Sequence, residues 1–445
     1  MRRGVARKVL ILLGILFLLG TADASTVKEF ILDNGLKILV SEDHKAPIAT
    51  FQIWYRVGSR DEPGGKSGIS HLLEHMMFKG SKNFGPKTFS RLIQKNGGVD
   101  NAFTTRDYTM YYETLPSDRI ELALELEADR MKNLLLRDED VRYERNVVME
   151  ERRLRYEDDP QSLVYEEVVA TAFKVHPYHN PVIGWMSEIA SITKEDLFKH
   201  YRSYYCSQNA FIVVAGDVKA EKILNMVKKY FSDVPECPER RPLSSQEPQQ
   251  RGEKRVYVKK EAKLPYVLIA YHVPSFPDPD SAALDVLSSV LSGKSGRLYK
   301  KLVRDRKVAI GAFASYNGLQ IDPFLFFLGG TATEGTDGTT LEKALLEVVE
   351  EIKRKLPEEK EVQKAKNQIE ATFIMGQDSI FFQAELIGMF EILGDWRLKE
   401  RYLQQLNEVT PDDVSRVARK YLTKENRTVG ILIPIDRKKS EGTGH

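Results

Sequence analysis

At 445 residues the chain exceeds one ordinary hydrophobic core and has room for two domains of about 200 residues each. Its 42% hydrophobic and 29% charged residues describe a globular protein, and past the N-terminus no run of about 18 apolar residues offers a membrane-spanning helix. A formal charge of +2, with no basic stripe carrying interleaved aromatics, excludes the electrostatic footprint of a nucleic-acid-binding protein.

Residues 1–24 have the anatomy of a secretory signal peptide. Arg2, Arg3, Arg7 and Lys8 make a basic start, Val9 to Leu19 an apolar run, and Ala22-Asp23-Ala24 a small-x-small cleavage site. Cleavage there leaves a mature chain with a formal charge of about −1, exported to a periplasm or secreted, with no membrane span. Next, Asp33-Asn34-Gly35 between two alternating apolar runs predicts a tight β-hairpin. A strand is predicted over 48–59, and from His71 the periodicity becomes helical. Amphipathic helices are expected over 88–96, 119–135 and 138–156, and strands over 101–115 and 210–218. Cys206 and Cys237 are too few for a disulfide scaffold; an exported chain permits one bridge between them, and the sequence leaves that pairing open. Residues 235–253, rich in Pro, Ser, Gln and charge, have almost nothing apolar to give a core and read as a linker.

Across that linker the sequence repeats. Thr193, Asp196, Tyr204 and Asn209 recur as Thr410, Asp413, Tyr421 and Asn426, a constant spacing of 217 residues. Each copy predicts a Thr-capped helix, a turn with Asn and a hydrophobic strand. Residues 52–59 match 268–275 at a spacing of 216. The expected architecture is α+β: two related domains, each a mostly antiparallel sheet with helices packed on one face, joined by a linker into a clam-shell. The domains are placed at 25–234 and 254–437, with a flexible tail at 438–445.

The helix from His71 carries two of the eight histidines and a glutamate as His71-Leu72-Leu73-Glu74-His75. Residues three and four apart share a helix face, so the three polar groups converge and the imidazoles can grip one metal ion. The order is the inverse of the common zinc-peptidase H-E-x-x-H. The repeat supplies an internal control: with Gly80 set on Gly293, His71, Glu74 and His75 fall opposite Leu284, Leu287 and Ser288. A third ligand is needed, because a catalytic zinc takes three protein ligands and keeps a fourth position open. Glu144, Glu150, Glu151 and Glu157 on the acidic helix are candidates, of which Glu144 and Glu151 lie two turns apart on one face.

The H-x-x-E-H helix, the later segment Glu144 to Glu151, the opening Asp33 to Val40, the segment Asn96 to Glu113 and His176 to Gly184 together resemble the pitrilysin and mitochondrial processing peptidase family of zinc peptidases. The resemblance runs from about Thr26 to Pro434. It implies one zinc ion per chain held by His71, His75 and Glu151, with Glu74 as general base and Glu144 supporting the site. It also implies peptide substrates lying as an added strand along residues 101–113, where Asn101 and Ala102 line the cleft. Relatives carry an Arg in the second half and, seven residues later, a Tyr that together hold the substrate carbonyl. Here Arg304 is present, but the seventh position after it is Gly311. The resemblance therefore implies the zinc-bearing member of a two-chain peptidase, whose homologous partner supplies an Arg/Tyr pair; a homodimer using another residue such as Tyr316 is the alternative. The leading expectation is a zinc metalloendopeptidase. The rivals are a noncatalytic assembly subunit and a structural zinc site.

Overall fold

The computed structural model describes residues 27–238 and 245–435, so the expected signal peptide (1–24) and tail (438–445) lie outside the described residues. The first half runs β1 (Lys28–Ile31), β2 (Lys37–Glu42), β3 (Ile48–Tyr55), α1 (Ile69–Met76), α2 (Thr88–Lys95), β4 (Val99–Thr104), β5 (Thr109–Pro116), α3 (Ile120–Asn133), α4 (Asp138–Arg152), α5 (Pro160–Ala172), α6 (Met186–Ser191), α7 (Lys194–Tyr204), β6 (Ala210–Gly216) and α8 (Ala220–Phe231). The second runs β7 (Lys254–Glu261), β8 (Tyr266–Val273), α9 (Asp280–Leu291), β9 (Ala309–Ser315), β10 (Phe324–Ala332), α10 (Gly338–Arg354), α11 (Glu359–Gly376), α12 (Ile380–Ile392), α13 (Leu398–Glu408), α14 (Pro411–Tyr421) and β11 (Arg427–Ile435).

The sheets have strand orders β1-β2-β6-β3-β5-β4 and β7-β11-β8-β10-β9. Without β1 the two orders correspond strand for strand, and in both only the pair at one end, β2·β6 or β7·β11, is parallel. The repeat extends to side chains. Thr193 and Thr410 both form capping boxes, with Asp196 and Asp413. Asn209 donates to the carbonyls of Tyr204 and Arg56 at 2.9 and 3.3 Å, and Asn426 to those of Tyr421 and His272, both at 2.8 Å. Each Asn thus ties the end of a helix to the central strand of its own sheet, which explains why this residue recurs at the same spacing.

The hairpin at Asp33 to Gly35 forms, with Gly35 at φ +83°. The strand expected over 101–115 is instead two, β4 and β5, paired antiparallel. The break comes from Thr105, whose hydroxyl accepts from the amides of Asp107 and Tyr108 and closes a turn. The helix expected to reach residue 156 keeps α-helical geometry to Arg152 and finishes as a π-turn over Arg153–Glu157.

Each sheet carries its own helices on one face, and the other face is covered by a helix from the opposite half. Ala384, Ile387 and Ile392 of α12 pack on Leu39, Trp54, Phe211 and Val213 of the first sheet. Reciprocally, Val164, Val168, Val169 and Ala172 of α5 pack on Leu268, Ala270, Phe327 and Leu432 of the second. Glu391 of α12, 1% exposed, accepts from Arg56 at 2.7 Å and meets Lys37 at 2.9 Å, so the exchange is anchored by charge as well as apolar burial. The linker is likewise not a free spacer after residue 245. Glu247 accepts three consecutive backbone amides, Lys174, Val175 and His176, at 2.7 to 3.0 Å, and buried Gln250 donates to the carbonyl of Arg427. Polar bonds, which a count of apolar residues does not register, hold it down. Cys206 and Cys237 are disulfide-bonded, tying the start of the linker to the end of α7.

Candidate metal centre

The site is built on α1, a helix of eight residues. Its entry needs Gly68 at φ +85°, where a Cβ would meet the carbonyl oxygen of Ile183 at 2.4 Å. The first amides are capped from outside the helix: Glu62 accepts from Gly68 and Ser70, both at 2.8 Å. Ile69, Leu72, Leu73 and Met76 bury one face in the first core, which turns His71, Glu74 and His75 toward α4 and β4.

Nε2 of His71 and Nε2 of His75 lie 3.9 and 3.5 Å from the same oxygen, Oε2 of Glu151. All three donor atoms fall within 4.8 Å of one another. A tetrahedral zinc with bonds of about 2.0–2.1 Å spaces its donors about 3.3–3.4 Å apart, and the two imidazole-to-carboxylate spacings approach that value. The donor chemistry also fits: two imidazoles and one carboxylate leave a fourth corner open.

Behind the donors stand groups that orient them. His75 meets Oε2 of Glu144 through Nδ1 at 3.1 Å, while Lys79 grips Oε1 of Glu144 at 2.5 Å. Arg155, from the π-turn, holds the second oxygen of Glu151 at 3.0 Å. Thr104, the last residue of β4, donates to Oε2 of Glu74 at 2.6 Å. Glu144 thus stands behind one imidazole and Glu151 beside both.

Without a cation the two imidazoles divide sharply. Burial, then the neighbouring His75, holds His71 down at about 4. Burial acts on His75 the same way but is outweighed by the hydrogen bonds it donates to Glu144 and Glu151 and by the charge of Glu74, which push it up to about 9. The His75 hydrogen bond lowers Glu151, whereas burial lifts the Glu74 carboxyl above its usual range despite the Thr104 bond. A carboxyl lifted toward neutrality is suited to accept a proton and hand it on.

Asn101 and Ala102 lie on β4, the edge strand of the first sheet, whose outer backbone has no strand partner among the described residues. Asn101 is exposed and Ala102 is buried against β5. Arg304 does not join them. It is exposed, its guanidinium bonds Asp305 at 2.7 Å on the same turn, and no contact links it to the histidine cluster among the described residues. Gly311 sits on β9 with open space where a side chain would project. Tyr316, the alternative donor, gives its hydroxyl to the carbonyl of Pro274 at 2.7 Å. Lys79, Thr104 and Glu62 escaped the sequence reading; all three lie close to quoted motifs, but spacing alone does not say which face a strand end or a loop residue presents.

Comparison with known proteins accords with this geometry. Residues 37–185 match Insulinase (Peptidase family M16), and residues 191–369 match the Peptidase M16 inactive domain. The chain is 34% identical to zinc protease PqqE of Helicobacter pylori over 409 residues, 91% of this chain and 92% of that protein. A probable mitochondrial-processing peptidase subunit beta of Arabidopsis thaliana is 28% identical over 91% of this chain and 78% of its own length. Among solved structures, a protease from Helicobacter pylori superposes with a TM-score of 0.88 at 33% identity, covering 92% of this chain and all of that one. The chain belongs to peptidase family M16, the pitrilysin family. The "inactive" match falls largely on the second half, where Leu284 and Ser288 stand opposite the two histidines.

Proposed function

We propose that the chain is an exported zinc-dependent metalloendopeptidase that cleaves extended peptides or unfolded segments. The observation that carries the proposal is the bond from Thr104 to Glu74, which sets a buried carboxylate at the end of an open strand edge and beside three converging donors. His71, His75 and Glu151 would hold the zinc ion, which when bound supplies a Lewis acid that polarises the scissile carbonyl and acidifies water. The backbone of β4 pairs with an extended substrate, a mode tolerant of side-chain identity that excludes folded chains. Glu74 keeps one oxygen on Thr104 and takes the proton of the attacking water on the other, then delivers it to the leaving amine. Three donors instead of four weigh against a structural zinc site, and their retention together with Glu74 weighs against a noncatalytic subunit.

Arg304 turned to Asp305, and Gly311 in place of a tyrosine, leave the developing oxyanion without donors from the second half. A homologous partner chain supplying an Arg/Tyr pair completes the site in this reading, with periplasmic placement following from the signal-like leader. The deciding experiment measures zinc content and peptide cleavage of wild type and Glu74→Gln, each alone and with candidate partner chains. Zinc retained and cleavage abolished in Glu74→Gln supports the proposal; cleavage by the zinc-loaded variant overturns it.

A further inference from the structure

The second half keeps the cleft that houses the metal cluster in the first, but with different chemistry. Helices α9 and α11 correspond to α1 and α4, and between them, α10 and the turn over Tyr299–Asp305 lies a cavity of about 490 Å³. Six cationic side chains line it against three acidic ones. Two of those acids are already neutralised: Glu361 by Arg297, through Nε at 3.1 Å and Nη2 at 2.7 Å, and Glu351 by Lys301. The third, Glu358, closes a capping box at the start of α11. Lys300 lies near enough to Glu361 to help lower its carboxyl, and no close ion pair holds Lys355, Lys360 or Lys364 among the described residues. Nη1 of Arg297 is buried with no hydrogen-bond partner, although the side chain is only 12% exposed.

Ammonium groups crowded around one concavity without close ion pairs repel one another. The crowding registers on Lys301, held below its usual range first by burial and then by Arg297, Arg306 and Lys355. An anion with several acceptor oxygens relieves that repulsion, and the exposed face of Arg297 adds a planar donor. We propose that this cavity is an anion-binding site, taking a carboxylate-bearing or phosphate-bearing ligand against Arg297 with the lysines around it. The ligand is either the acidic stretch of a peptide or a free phosphate compound; both present the same oxygen chemistry. The site does not depend on the metal centre or on turnover.

Isothermal titration calorimetry of the full chain at low salt tests this with two probes, inorganic phosphate and a hexaglutamate peptide. Lys360→Gln/Lys364→Gln alters two exposed side chains on α11 and should fold normally, and Lys45→Gln, exposed far from the cavity, is the charge control. The expected result is binding that weakens at least about tenfold in the double variant, is unchanged in the control, and falls as sodium chloride is raised. Tighter binding of hexaglutamate than of phosphate assigns the site to acidic peptide, and the reverse assigns it to phosphate; either supports the anion site. No heat with either probe, or equal affinity in wild type and double variant, overturns it. Because binding and not cleavage is read, a negative result leaves the peptidase proposal standing.

Discussion

His75 and Glu144, 69 residues apart in sequence, meet through Nδ1 and Oε2 at 3.1 Å, and Lys79 locks the far oxygen of the same carboxylate. The pairing fixes which ring nitrogen is free: with Nδ1 turned to Glu144, Nε2 faces Glu151. Partners of this kind sharpen a ligand's orientation and basicity, and their removal costs about 10–100-fold in metal affinity. Glu144→Gln is expected to weaken zinc binding by that factor, and Lys79→Met in the same direction by less. Competition with a chelating dye measures both; unchanged affinity in Glu144→Gln would deny Glu144 any supporting role.

Thr104 differs from the ligands because it touches the base and not the donors. Losing a hydrogen bond to a charged group costs about 1.5–3 kcal/mol. With Oε2 released, Glu74 samples orientations that do not reach the water. Thr104→Val is therefore expected to lower kcat about tenfold or more with KM nearly unchanged, and Thr104→Ser to restore it. Zinc content should stay at the wild-type level in both. A KM effect in Thr104→Val without a kcat effect would move Thr104 from positioning the base to binding substrate.

Two of the candidate metal donors were readable in the sequence because helical spacing is rigid: His71 and His75 must share a face wherever the helix sits. Glu151 followed only through its register with Glu144 and the family resemblance, since no local rule brings two distant helices together. The repeat was legible because Asn209 and Asn426 perform the same bonding task in each half. The exchange of α5 and α12 was not. Strand β6 is buried at every residue, which means that both faces are covered, but periodicity cannot say which helix lies on top. The direction of Arg304 was not legible for a related reason, because its guanidinium bonds the neighbouring Asp305, a contact that no motif encodes.

The exchanged helices approach closely enough to require a missing side chain. Gly388 of α12 lies over Trp54, where a Cβ would sit 2.3 Å from the indole, and Gly430 of β11 lies under Val168 of α5 at the same distance. Each foreign helix thus rests on its sheet through one glycine. Overpacking a filled core typically costs about 1–3 kcal/mol. Gly388→Val is expected to lose that much stability in urea titration and to shift Trp54 emission to the red. Because each half covers the other's sheet, unfolding should remain a single transition followed equally by fluorescence and far-UV circular dichroism. Two separated transitions in the wild type would contradict the interlocking of the halves.

His200, 4% exposed on α7, pairs through Nε2 with Ser70 at 3.1 Å, on the helix that carries His71 and His75. Tyr204 is the ring beside it, at 4.7 Å, and no carboxylate contacts it among the described residues. Burial alone lowers its basicity to about 3 from an ordinary 6.5. The folded state therefore keeps His200 neutral where the unfolded chain binds a proton. Its stabilising contribution is complete above about 6.5 and drains away as pH falls toward 3, by about 1.4 kcal/mol per pH unit. Carboxylates also titrate at the acid end of this window, so the informative quantity is a difference. His200→Gln, which retains a donor for Ser70, is expected to flatten the fall of unfolding free energy between pH 6 and 4 by about one proton's slope relative to wild type. Parallel stability curves for the two proteins would mean that His200 is already protonated, or solvated, in the folded chain.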